Sequence, residues 1–492
     1  MTSLCLNEGE VYSAFGIAER LRDCDEGNRQ SLSERCFDAL LNLSLQAESL
    51  SLWPGSSRDD AGDDDEPEFT LEDGRRCLAR PLPGKNRKLR IGHVVGAAYL
   101  LDGDVSLEVL PKIGGDDADV ARAGLLRMWT YAADLKRLDN DNPAGMALAR
   151  LPLQEWLVRR FLQQLEVLVA KGLRAAYIEH EANLNTVRGR LLVSENLRAN
   201  AFAPQRFYCR FEDFSPDRPE NRLIRSALAV VMAGAKDRGN RRLAADLIER
   251  LHEVPPSADI AGDFARWQDD RLMVDYREIR STCQWLLMQS GPAPVQGPKQ
   301  MLGRFVRMND VFERYVTRWL RERLLPHGWE VLEQARDPWR GQGPAGNPAA
   351  RVLCRLPNGK TQTLRPDIVV VDRKTRDTVA VLDAKWKGPR GDDRLASRDD
   401  LFQMFAYASH WLANGAGVAA NGAIALVDPH AGEADQRDGP QAFDFPQLQG
   451  VHGFALTFQL PRKNGTAWLE GLQLDRAVQE RCACLEAAGV PQ

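Results

Sequence analysis

The sequence predicts a multidomain α/β protein: a small β-rich amino-terminal unit, a helical middle region and a carboxy-terminal mixed sheet flanked by helices. Three observations carry this. Short alternating apolar stretches end at Pro111, and long segments with apolar residues at helical spacing fill the centre. Beyond a Pro/Gly-rich stretch at 291–298, β-branched runs alternate with polar turns. At 492 residues and 43% hydrophobic content, the chain can build about three domains of ordinary size.

Residues 1–67 are expected to form an amino-terminal extension. It holds an amphipathic stretch at 32–50 and then an acidic run at 59–67 that reads as a flexible connector, and no function attaches to it. Residues 68–117 form the β-rich unit, with alternation at 87–91 and 105–110, and offer a platform for contacting a partner. Residues 118–290 are expected to be a helical linking domain, clearest at 153–173 and 220–235. Arg188-Gly189-Arg190 interrupts it. A glycine there suits a tight backbone that presents both guanidinium groups to phosphate or to an acidic surface, unless they pair with Glu179, Glu181 or Glu195.

Residues 300–492 carry the chemistry. Pro366-Asp367 and Asp383-Ala384-Lys385 fall on two neighbouring predicted strands, 364–371 and 378–383, joined by a polar turn. Side chains alternate across a strand, so Asp383, Lys385 and Lys387 are expected on one face and Ala384 and Trp386 on the other. Two carboxylates with water and a substrate phosphate suffice for Mg²⁺, which prefers oxygen ligands. The Lys385 ammonium would position the attacking water or stabilise charge growing on phosphorus. The residue set therefore points to phosphodiester hydrolysis. The competing reading makes Asp367 a strand-opening turn residue and Asp383 and Lys385 a solvated edge.

Two helices frame this pair. One beginning near Asp400 places Gln403 and Tyr407 four residues apart on one face. Another, beginning within 304–316 with Asn309 or Asp310 as N-cap, carries Glu313 in its early turns. With them the sequence resembles the PD-(D/E)xK nuclease superfamily. The resemblance implies Asp367, Asp383 and Glu313 as ligands of Mg²⁺ or Mn²⁺, with Lys385, Gln403 and Tyr407 completing the catalytic set.

Further ordered motifs narrow the resemblance: Leu110-Pro111-Lys112-Ile113-Gly114, the segments 186–191, 207–215 and 220–225, and Asp310-Val311-Phe312-Glu313. Over roughly residues 90–430 the chain is similar to McrC proteins. That implies the endonuclease subunit of a McrBC-type, modification-dependent restriction complex in anti-phage defence. Such a subunit cuts DNA when delivered by a separate McrB-like AAA+ GTPase, and its nuclease domains self-associate for a double-strand break. Two other readings stand beside it: a catalytically silent regulator that stimulates the GTPase, and a stand-alone DNA repair or recombination nuclease.

The remaining features delimit these readings. The net charge of −4 gives no general attraction to DNA, so contacts must come from local patches. Candidates are Arg373, Lys374 and Arg376 in the turn, Lys387 and Arg390 beyond Lys385, and Arg188 and Arg190. The string Asn358-Gly359-Lys360-Thr361 has Cys354 where a phosphate-binding loop needs its first glycine, so GTP would act only through the partner. Nine cysteines show no zinc spacing and read as reduced thiols. Asp428-Pro429-His430 reads as a turn. With no apolar run of membrane-spanning length and no targeting signal, a cytoplasmic location without membrane contact is expected.

Overall fold

The structure is a computed structural model that describes residues 2–45, 69–70, 76–84, 87–101, 104–113, 117–132, 151–268, 273–288, 303–333, 352–355, 361–364, 366–374, 378–386, 397–412, 422–430, 441–448 and 451–459. The acidic run at 59–67, the Pro/Gly-rich stretch at 291–298, Lys360, Arg376, Lys387, Arg390, Cys482 and Cys484 lie outside these residues.

The chain opens with strands β1 (Thr2–Asn7) and β2 (Leu21–Arg22), then helix α1 (Glu26–Asn42). After short strands come β3 (Val94–Leu100) and β4 (Val105–Leu110). β1 lies parallel to β4, with Leu4 opposite Leu107. The segment read as an extension is thus an inner strand of the amino-terminal sheet. β4 is buried at all six positions, although its apolar and polar residues alternate. Its odd-numbered residues pack with Phe37 and Leu40 of α1. On the other face, Glu108 accepts hydrogen bonds from Arg122 and, at 2.5 Å, from Leu153 N. Glu108 therefore meets helices rather than water.

The middle region supplies helices α2 (Ala118–Ala132) and α3 (Leu153–Lys171), then strands β5 (Ala176–Leu184), β6 (Arg190–Leu191) and β7 (Phe207–Ser215). Helices α4 (Pro219–Gly234), α5 (Arg238–Arg250) and α6 (Val274–Met288) follow. β5, β7 and β6 form a three-stranded sheet within the region expected to be helical. Among the described residues of 176–215, only Asn200 and Cys209 are buried, so this sheet stands clear of the core. Asn221 of α4 ties down its base: Nδ2 donates to Arg174 O at 2.9 Å and to Pro216 O at 2.7 Å, just outside the two long strands. The Tyr276 hydroxyl donates to Asn221 Oδ1 at 2.9 Å.

β8 (Gly303–Arg307) returns to the amino-terminal sheet, pairing antiparallel with β3, and continues into helix α7 (Met308–Leu324). Arg307 occupies the N-cap without a side-chain bond, so the helix starts before Asn309 and Asp310, the expected caps. Beyond it come β9 (Trp329–Glu333), β10 (Ile368–Asp372) and β11 (Thr378–Ala384), then helix α8 (Arg398–Trp411). β12 (Gly422–His430), β13 (Gln441–Asp444) and β14 (Val451–Gln459) complete the described elements.

The second sheet has the order β9-β10-β11-β12-β14-β13. β9, β10 and β11 are antiparallel neighbours, whereas β12 lies parallel to both β11 and β14, with α8 as the crossover. Asp428-Pro429-His430, expected as a turn, continues β12 opposite Thr457, Phe458 and Gln459.

One apolar core runs from Val95 and Leu110 through α2, α3 and α4 to α7 and one face of the second sheet, including Ile368, Leu382, Ala384 and Trp386. A smaller core covers the opposite face, where Val369, Val381, Ile424 and Leu426 meet Met404, Tyr407 and Trp411 of α8. Of the cysteines, Cys5, Cys24, Cys36, Cys77, Cys209 and Cys283 are free thiols. No helix among the described residues is long and apolar enough to cross a membrane.

Candidate active site

β10 and β11 carry the two acids to the same end of neighbouring strands, because Ile368 stands opposite Leu382 in antiparallel register. Asp367 Oδ2 accepts a hydrogen bond from Ala384 N at 3.0 Å, which fixes the first carboxylate against the strand bearing the second. Lys385 N donates to Val427 O at 2.9 Å and extends the ladder one residue past β11. The Lys385 ammonium then lies 3.2 Å from Asp383 Oδ2.

Alternation sorts the neighbours as the sequence predicted. Ala384 and Trp386 enter the large core, where the Trp386 ring meets Phe312 of α7 edge-on at 5.3 Å. Asp367 and Asp383 continue the rows of Val369 and Val381, which face α8. The solvated-edge alternative is overturned: Asp383 is 1% exposed, Asp367 6%, and the Lys385 side chain 15%.

Both carboxylate oxygens of Asp383 are buried and accept no hydrogen bond among the described residues. Burying a carboxylate in that state is unfavourable unless cations sit against it. Lys385 provides one positive charge, at Oδ2. Two carboxylate groups at a strand end are the donor set of a hard divalent ion such as Mg²⁺ or Mn²⁺, so the residues fit the metal that the sequence pattern implies.

The other expected members are placed unevenly. Glu313 is 3% exposed on α7, the helix against the opposite face of the sheet, and its carbonyl accepts from Thr317 Oγ1 at 2.7 Å. Among the described residues, no three His, Cys, Asp or Glu side chains form a group that could hold a metal, so Glu313 does not join Asp367 and Asp383 in one. Gln403 and Tyr407 do share a face of α8, and Gln403 Nε2 donates to the Tyr407 hydroxyl at 2.8 Å. Tyr407 is itself a core residue. Their helix starts at Arg398 rather than Asp400, with a capping box in which Ser397 Oγ accepts from Asp400 N and Asp400 Oδ2 from Ser397 N, each at 3.1 Å.

The basic candidates stand away from the acids. Arg373 and Lys374 are exposed at the far end of β10 from Asp367, roughly 20 Å along the strand at about 3.3 Å per residue. Arg373 lines a cavity of about 510 Å³ with Arg314, Arg321, Trp329 and Glu330. Arg188 is engaged within the three-stranded sheet. It pairs with Asp213, rather than with the glutamates the sequence suggested, and its guanidinium lies 4.4 Å over the Phe211 ring. Glu179 and Glu181 pair instead with Arg210, which faces Arg190 across the β6–β7 pairing. Gly189 takes φ +67°, and a Cβ there would stand 2.4 Å from Arg210 O, so the tight backbone is required.

Sequence reasoning missed Glu8 and Asn221. Glu8 follows β1, is 1% exposed, and its Oε1 accepts a hydrogen bond from Trp386 Nε1. Nothing in local spacing links positions 378 residues apart. Asn221 was legible only as part of the Glu220-Asn221-Arg222 motif, without its role at the base of the three-stranded sheet.

A family model described as McrBC 5-methylcytosine restriction system component matches residues 89–418. Among solved structures, the chain is similar to one in the refined half-complex from a tetradecameric assembly of Thermococcus gammatolerans McrB AAA+ hexamers with bound McrC. The TM-score is 0.67 at 20% identity, over 97% of this chain and all of that one (100%). It also matches a chain in the cryo-EM structure of the Thermococcus gammatolerans McrBC complex, with TM-score 0.43 and 21% identity over 65% of this chain and 87% of that one. No curated protein matches.

Proposed function

The chain belongs to the McrBC family of 5-methylcytosine restriction system components, and from that premise we propose that it is the DNA-cutting subunit, a PD-(D/E)xK-type phosphodiesterase that works with a McrB-like AAA+ GTPase. The observation that carries this reading is the buried pair of acids at one strand end. Asp367 is pinned by Ala384 N, Asp383 keeps both oxygens free of hydrogen bonds among the described residues, and the Lys385 ammonium lies 3.2 Å from Asp383 Oδ2.

Asp367 and Asp383 would hold Mg²⁺ or Mn²⁺, which acidifies water and polarises a phosphoryl oxygen. Lys385 orients the attacking water and stabilises the negative charge that develops on the phosphate oxygens as the P–O bond breaks. The low exposure of the three side chains strengthens each of these electrostatic contacts relative to water. Gln403, held by Tyr407, lies on the helix covering the same face of the sheet.

Partner contact is assigned to the three-stranded sheet rather than to residues 68–117. Tyr177, Val187, Val193, Leu197, Phe202 and Phe214 are all exposed within 176–215, and Phe202 lies fully in solvent at 101%. Exposed apolar side chains concentrated on one unit are characteristic of interaction surfaces. The similar structure described as McrB AAA+ hexamers with bound McrC supports a hexameric AAA+ partner as the occupant.

The test is cleavage of 5-methylcytosine-containing DNA by the chain with a candidate AAA+ GTPase, GTP and Mg²⁺. Asp383→Ala and Lys385→Ala are each expected to abolish cutting while leaving partner binding and GTP hydrolysis near wild-type levels. Cleavage that survives both substitutions places the chemistry elsewhere. Cleavage by the chain alone favours a stand-alone nuclease, and stimulation of GTP hydrolysis with no cutting by the wild-type pair favours a silent regulator.

A further inference from the structure

The amino-terminal segment, for which the sequence suggested no role, ends beside the catalytic strand. β1 is held within its sheet along its whole length against β4, and Glu8 N still donates to Leu110 O at 3.0 Å. The next residue, Gly9, turns the chain away with φ +65°. A Cβ there would stand 2.6 Å from the His93 ring. The turn leaves the Glu8 side chain pointing out of the amino-terminal sheet and into the core, where Oε1 receives the Trp386 indole N–H.

Glu8 Oε2 is buried and stands 3.9 Å from His93 Nδ1. Burial pushes the carboxyl up to about 7, against the opposing pull of the Trp386 hydrogen bond and of Lys112. An ionisable group kept in so unfavourable a place, with one partner from a different sheet, is a positioning device rather than a source of stability.

A second element reaches the same indole from the same unit. β8 pairs with β3 of the amino-terminal sheet and continues without a break into α7, whose Phe312 packs edge-on against Trp386. Trp386 is thus gripped on its N–H edge by Glu8 and on its ring by Phe312, and both grips come from segments joined to the amino-terminal sheet. Trp386 immediately follows Lys385, whose backbone N donates to Val427 O at 2.9 Å.

We infer that Glu8 is a positioning residue that acts through Trp386, so that the amino-terminal sheet sets the placement of Lys385 against Asp383. The inference rests on the catalytic role proposed for Lys385. Its physical content is that a hydrogen bond from a separate sheet immobilises the residue after the lysine, and a shift of that sheet loosens the ammonium from the acid.

The experiment uses the full chain with its GTPase partner and compares Glu8→Ala, Glu8→Gln and Trp386→Phe. Trp386→Phe removes the indole donor while keeping an aromatic ring against Phe312. Glu8→Gln keeps an acceptor for the indole N–H. Two readouts are taken: steady-state cleavage, and hydrogen exchange of the peptide amides around Lys385.

Glu8→Ala and Trp386→Phe are expected to lower kcat by about tenfold or more with KM for DNA unchanged, and to speed exchange around Lys385 but not in the three-stranded sheet. Glu8→Gln is expected to restore both. Unchanged exchange in Glu8→Ala and Trp386→Phe overturns the inference, as does faster exchange with undiminished kcat. A wild-type complex that cuts no DNA defeats the nuclease reading instead. The exchange arm then still decides whether Glu8 holds the strand.

Discussion

Two aspartates on β-strands, Asp383 in the second sheet and Asp213 in the three-stranded sheet, each stand beside a cation, and their surroundings give them opposite roles. Asp213 pairs with Arg188, with more than a third of each side chain in water. Asp383 is 1% exposed, and neither of its oxygens accepts a hydrogen bond among the described residues. Solvent satisfies and screens the first pair, so it contributes little and can be replaced. The second has no such relief, and a buried acid in that state marks a candidate functional site. Charge pattern alone would rank the two alike; burial separates them.

The largest expected effect tests that separation directly. Asp383→Asn should reduce single-turnover cleavage by about 10³-fold or more, roughly 4 kcal/mol of barrier, whereas Asp213→Asn should leave the rate within about a factor of two of wild type. The same pair should differ in thermal unfolding. Millimolar Mg²⁺ should raise the melting temperature of wild type and Asp213→Asn by a few degrees and leave Asp383→Asn unmoved, as expected for an ion that binds only the folded site. Equal responses would erase the distinction.

A second test concerns how the exposed sheet is anchored. Asn221→Ala removes two part-buried hydrogen bonds, to Arg174 O and Pro216 O just outside the two long strands, and the buried one from the Tyr276 hydroxyl, and should lower stability by about 2–3 kcal/mol in urea unfolding. It should also loosen partner binding without altering the acids. A loss of cutting that persists once partner binding is saturated would contradict the independence of the two regions.

Glu8 sharpens the comparison through pH. Its carboxyl is raised from 4.5 to about 7 by burial, with Trp386, Lys112 and His93 facing it. Between those two values the folded chain binds more protons than the unfolded chain, so stability from this group is full below about 4.5 and declines as pH rises through 7. Glu8→Gln should remove that part of the decline in melting temperature measured from pH 5 to 8. An unchanged slope would assign it to other groups.

The smallest effect is expected at the exposed pair. Arg188→Ala gives up an ion pair and a cation–π contact that are both open to water. It should cost about 1 kcal/mol or less by chemical unfolding, and a larger loss would mean that the sheet depends on it.

Much of this was legible in the sequence because the relevant physics is local. Strand alternation placed Asp383 and Lys385 opposite Ala384 and Trp386, and helical spacing placed Gln403 and Tyr407 together, as the 2.8 Å bond between them bears out. The amphipathic stretches at 153–173 and 220–235 became α3 and α4. Less visible was β4, whose polar Ser106 and Glu108 mimic a solvent face but are buried, Glu108 against Arg122 of α2 and Leu153 of α3. The sheet at 176–215 was hidden by helical surroundings on both sides.

By itself the sequence determined which strand or helix holds each candidate residue, because periodicity and side-chain type act over a few residues. Only the tertiary structure decided that Asp383 is sealed from water, that Glu313 lies with α7 on the opposite side of the sheet, that Arg373 and Lys374 sit at the far end of β10 from the acids, and that Glu8 meets Trp386. Those outcomes depend on which distant segments share a core and which shield a charge from solvent. Burial and contacts of that range are properties of the whole packed chain, with no local spacing to announce them.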